Sequence, residues 1–226
     1  MNLPHIPPVP LAGFTGFVAG LVLCIPVGPI NLTILSEGAR RGFAWAALIG
    51  AGAVTMETIY CAVAFTGFAS FFEKGLVKAT MELVSFVFLL WLGLRFLTAK
   101  SIEATNRVEE RIEERLKPHT AFMIGFVRVM GNPSVLLGWI LIAANLISRE
   151  WVAPTLEGKL ACIVGVAVGV GAWFLMLSYL VSYRKKPLSQ ASLLRLEHGS
   201  GIVLLIAALA HGGQIIYQMA HTRLGH

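Results

Sequence analysis

The chain has 226 residues, of which 56% are apolar and 13% are charged, and its formal net charge is +6. Soluble domains have about 45–50% apolar and about 25% charged residues, so this composition excludes an ordinary soluble domain and indicates an integral membrane protein. The basic residues are spread over several loops, which argues against nucleic-acid binding. The expected surroundings are therefore a lipid bilayer, with no nucleic-acid partner and no cofactor.

The first apolar run, at about 11–35, is interrupted in its second half. It is long enough to cross a bilayer, which takes about 20 helical residues. The interrupting residues are Pro26, Gly28, Pro29 and Asn31. Each proline removes a backbone donor and clashes with the preceding turn. Freed backbone groups survive in hydrocarbon only where protein or cavity water satisfies them, and broken helices mark substrate sites in transporters. We therefore predict a substrate site at this interruption.

Five further apolar runs follow along the chain, and the run that contains Gly131-Asn132-Pro133 is interrupted like the first. The five runs lie at about 43–72, 76–98, 119–148, 157–183 and 199–220. The sequence thus predicts an all-α integral membrane protein with six transmembrane helices, of which the first and fourth are broken at Gly/Pro/Asn motifs. An odd number of spans in each half makes the two halves inverted three-helix repeats.

The predicted organisation is a single polytopic membrane domain over 1–226. It comprises repeat 1 at about 11–98, a charged amphipathic linker at 99–118 and repeat 2 at about 119–220. Most Lys and Arg residues lie in the loops after the first, third and fifth helices, so the positive-inside rule makes the linker cytoplasmic and leaves both termini outside. The glycine-rich face Gly165-x-x-x-Gly169 allows close helix contact within one chain or between two, which leaves a homodimer open.

Two charged residues, Glu57 and Arg128, lie well inside predicted spans, away from their ends. Glu57 is about 21 Å beyond Phe43 at 1.5 Å per helical residue, near the middle of the membrane. A carboxylate there is costly and is by default a functional residue that can bind substrate or carry a proton; the alternative is a structural salt bridge or a protonated, hydrogen-bonded group. Arg128 can hold a substrate carboxylate or neutralise Glu57. Its alternative is to extend along the helix toward the headgroups.

Three kinds of polar or aromatic side chain accompany these charges. Asn31, and Asn132 with Pro133, join the interruptions, where an amide can contact a ligand or restore freed backbone groups. His211, midway along the last predicted helix, is a second candidate for proton coupling, with simple packing as the alternative. Four tryptophans are typical of membrane interfaces and protein cores: Trp45, Trp139, Trp151 and Trp173. For Trp173 the alternative is that it faces a cavity.

These motifs resemble the LysE/RhtB family of amino-acid exporters. The matching residues are Pro26-x-Gly28-Pro29-Ile30-Asn31, Gly38-x-x-Arg41-Gly42, Glu57 ten residues before Gly67, Gly125-Phe126 and Asn132-Pro133. The resemblance covers nearly the whole chain. It implies a six-helix efflux carrier of the bacterial cytoplasmic membrane that expels amino acids or similar small metabolites by proton or ion exchange.

The chain departs from the family pattern at two positions. Ser134 stands where family members usually have lysine after the second Asn-Pro, and Glu57 stands where the second helix usually has aspartate. Both positions belong to the interrupted or charged regions that would set specificity. The substrate therefore does not follow from the resemblance.

Three functions remain open from the sequence. The first is a secondary exporter, with the substrate ammonium near Glu57, the substrate carboxylate near Arg128 or an exposed helix end, and proton antiport through Glu57. The second is a divalent or heavy-metal cation exporter of related fold, although hard cations prefer several oxygen ligands. The third is a membrane thiol-disulfide electron carrier, which Cys24 beside Pro26 suggests, although the second interruption has no cysteine. None of the three functions is enzymatic. The sequence predicts neither catalytic residues nor a metal-binding site.

Overall fold

The computed structural model describes residues 8–26, 28–67, 75–100, 116, 119–183 and 189–224. Within this part the chain is all-helical and no strand occurs. Its helices are α1 (Pro8–Cys24), α2 (Pro29–Arg41), α3 (Phe43–Gly67), α4 (Gly75–Leu97), α5 (Ala121–Met130), α6 (Pro133–Ser148), α7 (Leu156–Tyr183) and α8 (Gln190–Leu224).

Three segments among the described residues are long and apolar enough to cross a membrane by themselves: Phe43–Thr66, Leu156–Tyr183 and Ala191–Ala210. Two bent pairs, α1 with α2 and α5 with α6, raise the number to five when each pair counts as one span. A sixth span would require α4, whose described apolar stretch, Phe86–Leu97, is shorter. Six spans therefore stay a prediction.

Both predicted interruptions are breaks between two helices. The first break, residues 25–28, turns the chain by 74° between α1 and α2, and the second break, residues 131–132, turns it by 66° between α5 and α6. A proline begins the following helix in each case, where its missing N–H costs no hydrogen bond. Asn132 caps α6 with its side chain, whereas Gly28 precedes α2 in an extended conformation without a side-chain cap.

Two helix boundaries differ most from the apolar runs. The second half of the first span continues to Arg41, six residues beyond the run, because Glu37 pairs with Arg40 and Arg41 one turn away at 3.1 and 3.0 Å. Gly42, at φ +86°, then makes the turn into α3. The last helix begins at Gln190 rather than 199, since helix length is set by packing as well as by hydropathy. Most of the predicted linker lies outside the described residues.

Helices from the two halves pack against each other in a reciprocal way. Helix α1 packs on α7, α5 packs on α3, and α4 packs on α8, while α3 and α7 also contact each other at the centre. A Cβ atom on Gly165 would lie 2.0 Å from the carbonyl oxygen of Gly13, and one on Gly125 would lie 1.8 Å from that of Ile49. Glycine at these positions thus allows the two close backbone contacts.

Candidate functional site

A cavity of about 880 Å³ lies between the two breaks, and side chains from all eight described helices line it. It brings together six of the predicted site residues. They are Gly28, Pro29, Asn31, Glu57, Arg128 and Asn132. Pro133 begins α6 but does not line this cavity, and the side chain of His211 lies outside the described part of the structure.

Glu57 is held in the cavity wall by a tryptophan. Its side chain, on α3, is buried, and one carboxylate oxygen accepts a hydrogen bond from the indole N–H of Trp139 on α6. Trp139 is itself buried, with 1% of its surface exposed. The tryptophan that the sequence indicated only as interface or core therefore orients the central carboxylate.

Arg128 reaches across from the last turn of α5 to α2. One terminal nitrogen of its guanidinium donates to the hydroxyl of Thr33 at 2.7 Å, and that hydroxyl donates to the Pro29 carbonyl at 2.8 Å. The side chain is half-buried and lines the cavity. A guanidinium has five N–H donors in a planar fork, which suits bidentate binding of a carboxylate. The cavity therefore contains both a carboxylate and a guanidinium.

The side chain of Asn31 closes the first break. Its amide nitrogen donates to the carbonyl of Cys24 at 3.0 Å and to that of Pro26 at 2.6 Å, and its amide oxygen accepts from the indole N–H of Trp173 at 3.0 Å. The first of these bonds satisfies a carbonyl at the end of α1. The carbonyl of Pro26, which follows α1, also accepts from the backbone N–H of Gly28 at 2.8 Å. Trp173 is buried and reaches the break from α7, although it does not line the cavity.

Two residues close the second break. The side-chain oxygen of Asn132 accepts from the backbone N–H of Ser134 at 3.1 Å. The hydroxyl of Tyr60 donates to the carbonyl of Met130, at the end of α5, at 2.8 Å. Tyr60 lies on α3 one turn beyond Glu57, so the helix that carries the central carboxylate also supports the second break.

Further charged residues line the cavity toward the end of α4. Arg95 and Lys100 lie at that end, and Glu197 lies on α8. The sequence predicts these residues in or beside loops, because the predicted third helix ends at residue 98 and the predicted last helix begins at 199. The positive charges at the end of α4 were the one sequence feature that could have indicated that the site extends there. The packing of α4 on α8 places Glu197 in the same cavity.

The chain matches the model of the LysE type translocator family over residues 21–212. The chain belongs to this family. It is also 28% identical over 208 residues to the "Putative amino acid efflux protein YcgF" of Bacillus subtilis (strain 168), an alignment that covers 89% of this chain and 95% of that protein. No solved structure matches the chain.

Family membership confirms the resemblance drawn from the motifs. LysE type translocators are transporters, so this protein is a transporter and not an enzyme. With its apolar spanning helices it is a multi-pass membrane protein, and its family implies a small-molecule substrate such as an amino acid. The two breaks and the cavity between them are therefore features of a translocator.

Proposed function

We propose that the protein is a secondary active exporter of amino acids or similar small metabolites across the bacterial cytoplasmic membrane, driven by proton antiport. The observation that carries this proposal is the position of Glu57 and Arg128, which come from opposite halves of the chain and line one cavity between two helix breaks. The family supports transport, and the printed name of the similar Bacillus protein supports amino-acid efflux.

The proposed architecture is a single domain with six spans in two inverted repeats, at about 11–98 and 119–220. Its support is the reciprocal packing of the helices. Helix α1 of the first half packs on α7 of the second, α5 of the second half packs on α3 of the first, and the third helices α4 and α8 pack on each other. Inverted repeats of this kind have their substrate site at the repeat interface, where the cavity lies.

Substrate is proposed to enter from the cytoplasm. The cavity extends from Glu57 to Lys100 at the end of α4. That end of α4 leads into the charged linker, whose Lys and Arg residues the positive-inside rule assigns to the cytoplasm, with both termini outside. We assign the substrate ammonium to Glu57 and the substrate carboxylate to the guanidinium of Arg128, since charge-assisted hydrogen bonds are stronger than neutral ones. Gly28 keeps the wall beside them open.

Proton coupling is assigned to Glu57. The carboxylate attracts the substrate ammonium, and a proton arriving from outside neutralises it and weakens that attraction, so substrate leaves and the proton is carried inward. Trp139 can hold the carboxyl group in place throughout, because an indole N–H donates to either protonation state. His211 is proposed as a second proton carrier on α8. Asn31, Pro29, Asn132 and Pro133 shape the two breaks.

The test is efflux of a labelled amino-acid panel from proteoliposomes, with the wild type beside Glu57→Gln. Glutamine retains an oxygen for the bond from Trp139 but cannot exchange a proton. We expect efflux that collapses when the proton gradient is dissipated, and at least a tenfold loss of gradient-driven efflux in the variant. Glu157→Gln is the matched control, because Glu157 lies exposed in the first turn of α7.

Two results would contradict the proposal. Efflux that does not depend on the proton gradient, together with a fully active Glu57→Gln variant, would contradict proton coupling through Glu57. Absence of movement for every amino acid, with protection of cells against a metal ion, would instead support a cation exporter.

A further inference from the structure

We infer that the substrate is an amino acid with a large apolar side chain, which lies along one face of α4 and in the space beside Gly138. The inference rests on the proposed function, because it names the substrate class of the same cavity. It depends on three observations: an apolar wall, an unfilled space and the distribution of charge.

The apolar wall belongs to α4. Phe88, Trp91, Leu92 and Phe96 all line the cavity. Their spacing of three, four and eight residues from the first puts them on one face of the helix. The rings of Phe88 and Trp91 have centroids 6.1 Å apart, so the wall contains a contiguous aromatic surface. Such a wall favours a ligand with an apolar side chain, because a charged side chain lying against it would lose part of its hydration.

The unfilled space lies beside Gly138 on α6. A Cβ atom at this position would meet no other atom within 4 Å, and the residue lines the cavity. Gly138, Glu57 and Trp139, which holds Glu57, all line the cavity, so the space opens into the cavity that contains the place assigned to the substrate ammonium. Unlike Gly125, where a Cβ atom would lie 1.8 Å from a backbone oxygen, Gly138 is not required for helix contact. Its missing side chain thus leaves room for a substrate.

The charges disfavour basic substrates. The cavity is lined by three cations, Arg95, Lys100 and Arg128, and by two carboxylates, Glu57 and Glu197. A zwitterionic backbone engages Glu57 and Arg128, and the remaining charged side chains toward the end of α4 have an excess of one positive charge. A lysine or arginine side chain extending in that direction meets like charge, whereas an apolar side chain stays on the face of α4.

The first test compares kcat/KM for counterflow of four groups of amino acids in proteoliposomes: leucine, phenylalanine and methionine; alanine and serine; lysine and arginine; and glutamate. We expect the large apolar group to exceed each of the others by at least tenfold, which is within what an apolar pocket achieves. Preference for a basic, acidic or small amino acid overturns this inference but not the proposed function. Movement of no amino acid, together with protection of cells against a metal ion, overturns both.

The second test changes the space itself. Gly138→Leu fills it, and we expect at least a tenfold loss of phenylalanine transport with less than a threefold loss for alanine. Gly213→Leu is the matched control. Gly213 lies exposed on α8, outside the cavity lining, and a Cβ atom there also meets nothing within 4 Å. The ratio of phenylalanine transport to alanine transport in this control should equal that of the wild type.

A third variant keeps the inference testable if Gly138→Leu is not recovered folded. Leu92→Ala shortens the apolar wall without adding bulk, and we expect it to lower the phenylalanine-to-alanine ratio at least threefold. An equal loss for both substrates in Gly138→Leu, or an unchanged ratio in Leu92→Ala, overturns the assigned position of the substrate side chain.

Discussion

The first break bends the chain by 74° and the second by 66°, and in each a proline begins the following helix. Their hydrogen bonds differ. At the first break Asn31 binds two carbonyls with its own side chain and is held in turn by Trp173. At the second break Asn132 only caps the helix that it precedes, and the carbonyl at the end of α5 depends on Tyr60 from another helix.

The difference separates a locally closed break from one supported at a distance. The first break is stabilised by the buried Asn31, in the first turn of the helix that follows it, and by one tryptophan from α7. The second is connected to α3 one turn from Glu57, so a displacement of α3 that follows a change at Glu57 acts directly on the second break. We expect the first break to be the fixed part of the site and the second to be the part that moves during transport.

The largest expected effect on stability comes from replacing Asn31 by serine. Serine at position 31 is too short to reach both carbonyls and Trp173, so three hydrogen bonds are lost. At about 1 kcal/mol each in a membrane protein, the cost is about 3 kcal/mol. For a chain of this size that corresponds to a decrease in Tm of roughly 6–12 °C, measured by thermal unfolding in detergent.

Asn132→Ser is the matched variant for that experiment. Serine is as good an N-cap as asparagine, so the free energy of unfolding should change by less than about 0.5 kcal/mol. Equal decreases in Tm for Asn31→Ser and Asn132→Ser would contradict the distinction between the two breaks.

A smaller effect on stability is expected for Tyr60→Phe. The variant keeps the ring and removes one hydroxyl, so the carbonyl of Met130 loses one hydrogen bond worth about 1 kcal/mol and Tm falls by roughly 2–4 °C. If the second break is the moving part, the transport rate should change more than stability does. We expect at least a threefold change in kcat in proteoliposomes.

Trp173→Phe is the corresponding change at the first break. It also removes one hydrogen-bond donor, to Asn31, and keeps an aromatic ring. A similar decrease in Tm with kcat unchanged would support the distinction between a fixed first break and a moving second break. A change in kcat as large as that of Tyr60→Phe would contradict that distinction.

The breaks themselves were predictable from sequence because their cause is local. A proline lacks a donor wherever it occurs, so Pro29 and Pro133 mark the points where an apolar run cannot continue as one straight helix. Glu57 was predictable for a similar reason, since a carboxylate in a long apolar run is costly unless the fold uses it.

The partners of these residues were not predictable. Trp139 lies 82 residues from Glu57 in the chain, Trp173 lies 142 residues from Asn31, and Thr33 lies 95 residues from Arg128. Hydropathy and periodicity describe which residues enter the membrane but not which of them meet. The apolar wall of α4 was not predictable for the same reason, because an aromatic face on a membrane helix can equally contact lipid.

The central claim is that Glu57 and Arg128 bind opposite ends of one substrate. The most direct test measures calorimetric binding of the best amino acid from the panel, of its amino alcohol and of its deaminated acid to purified wild type, Glu57→Gln and Arg128→Gln. We predict that the wild type prefers the amino acid at least tenfold over both analogues. Arg128→Gln should then bind the amino acid and the amino alcohol alike, and Glu57→Gln should bind the amino acid and the deaminated acid alike. Unchanged discrimination in both variants would contradict the account.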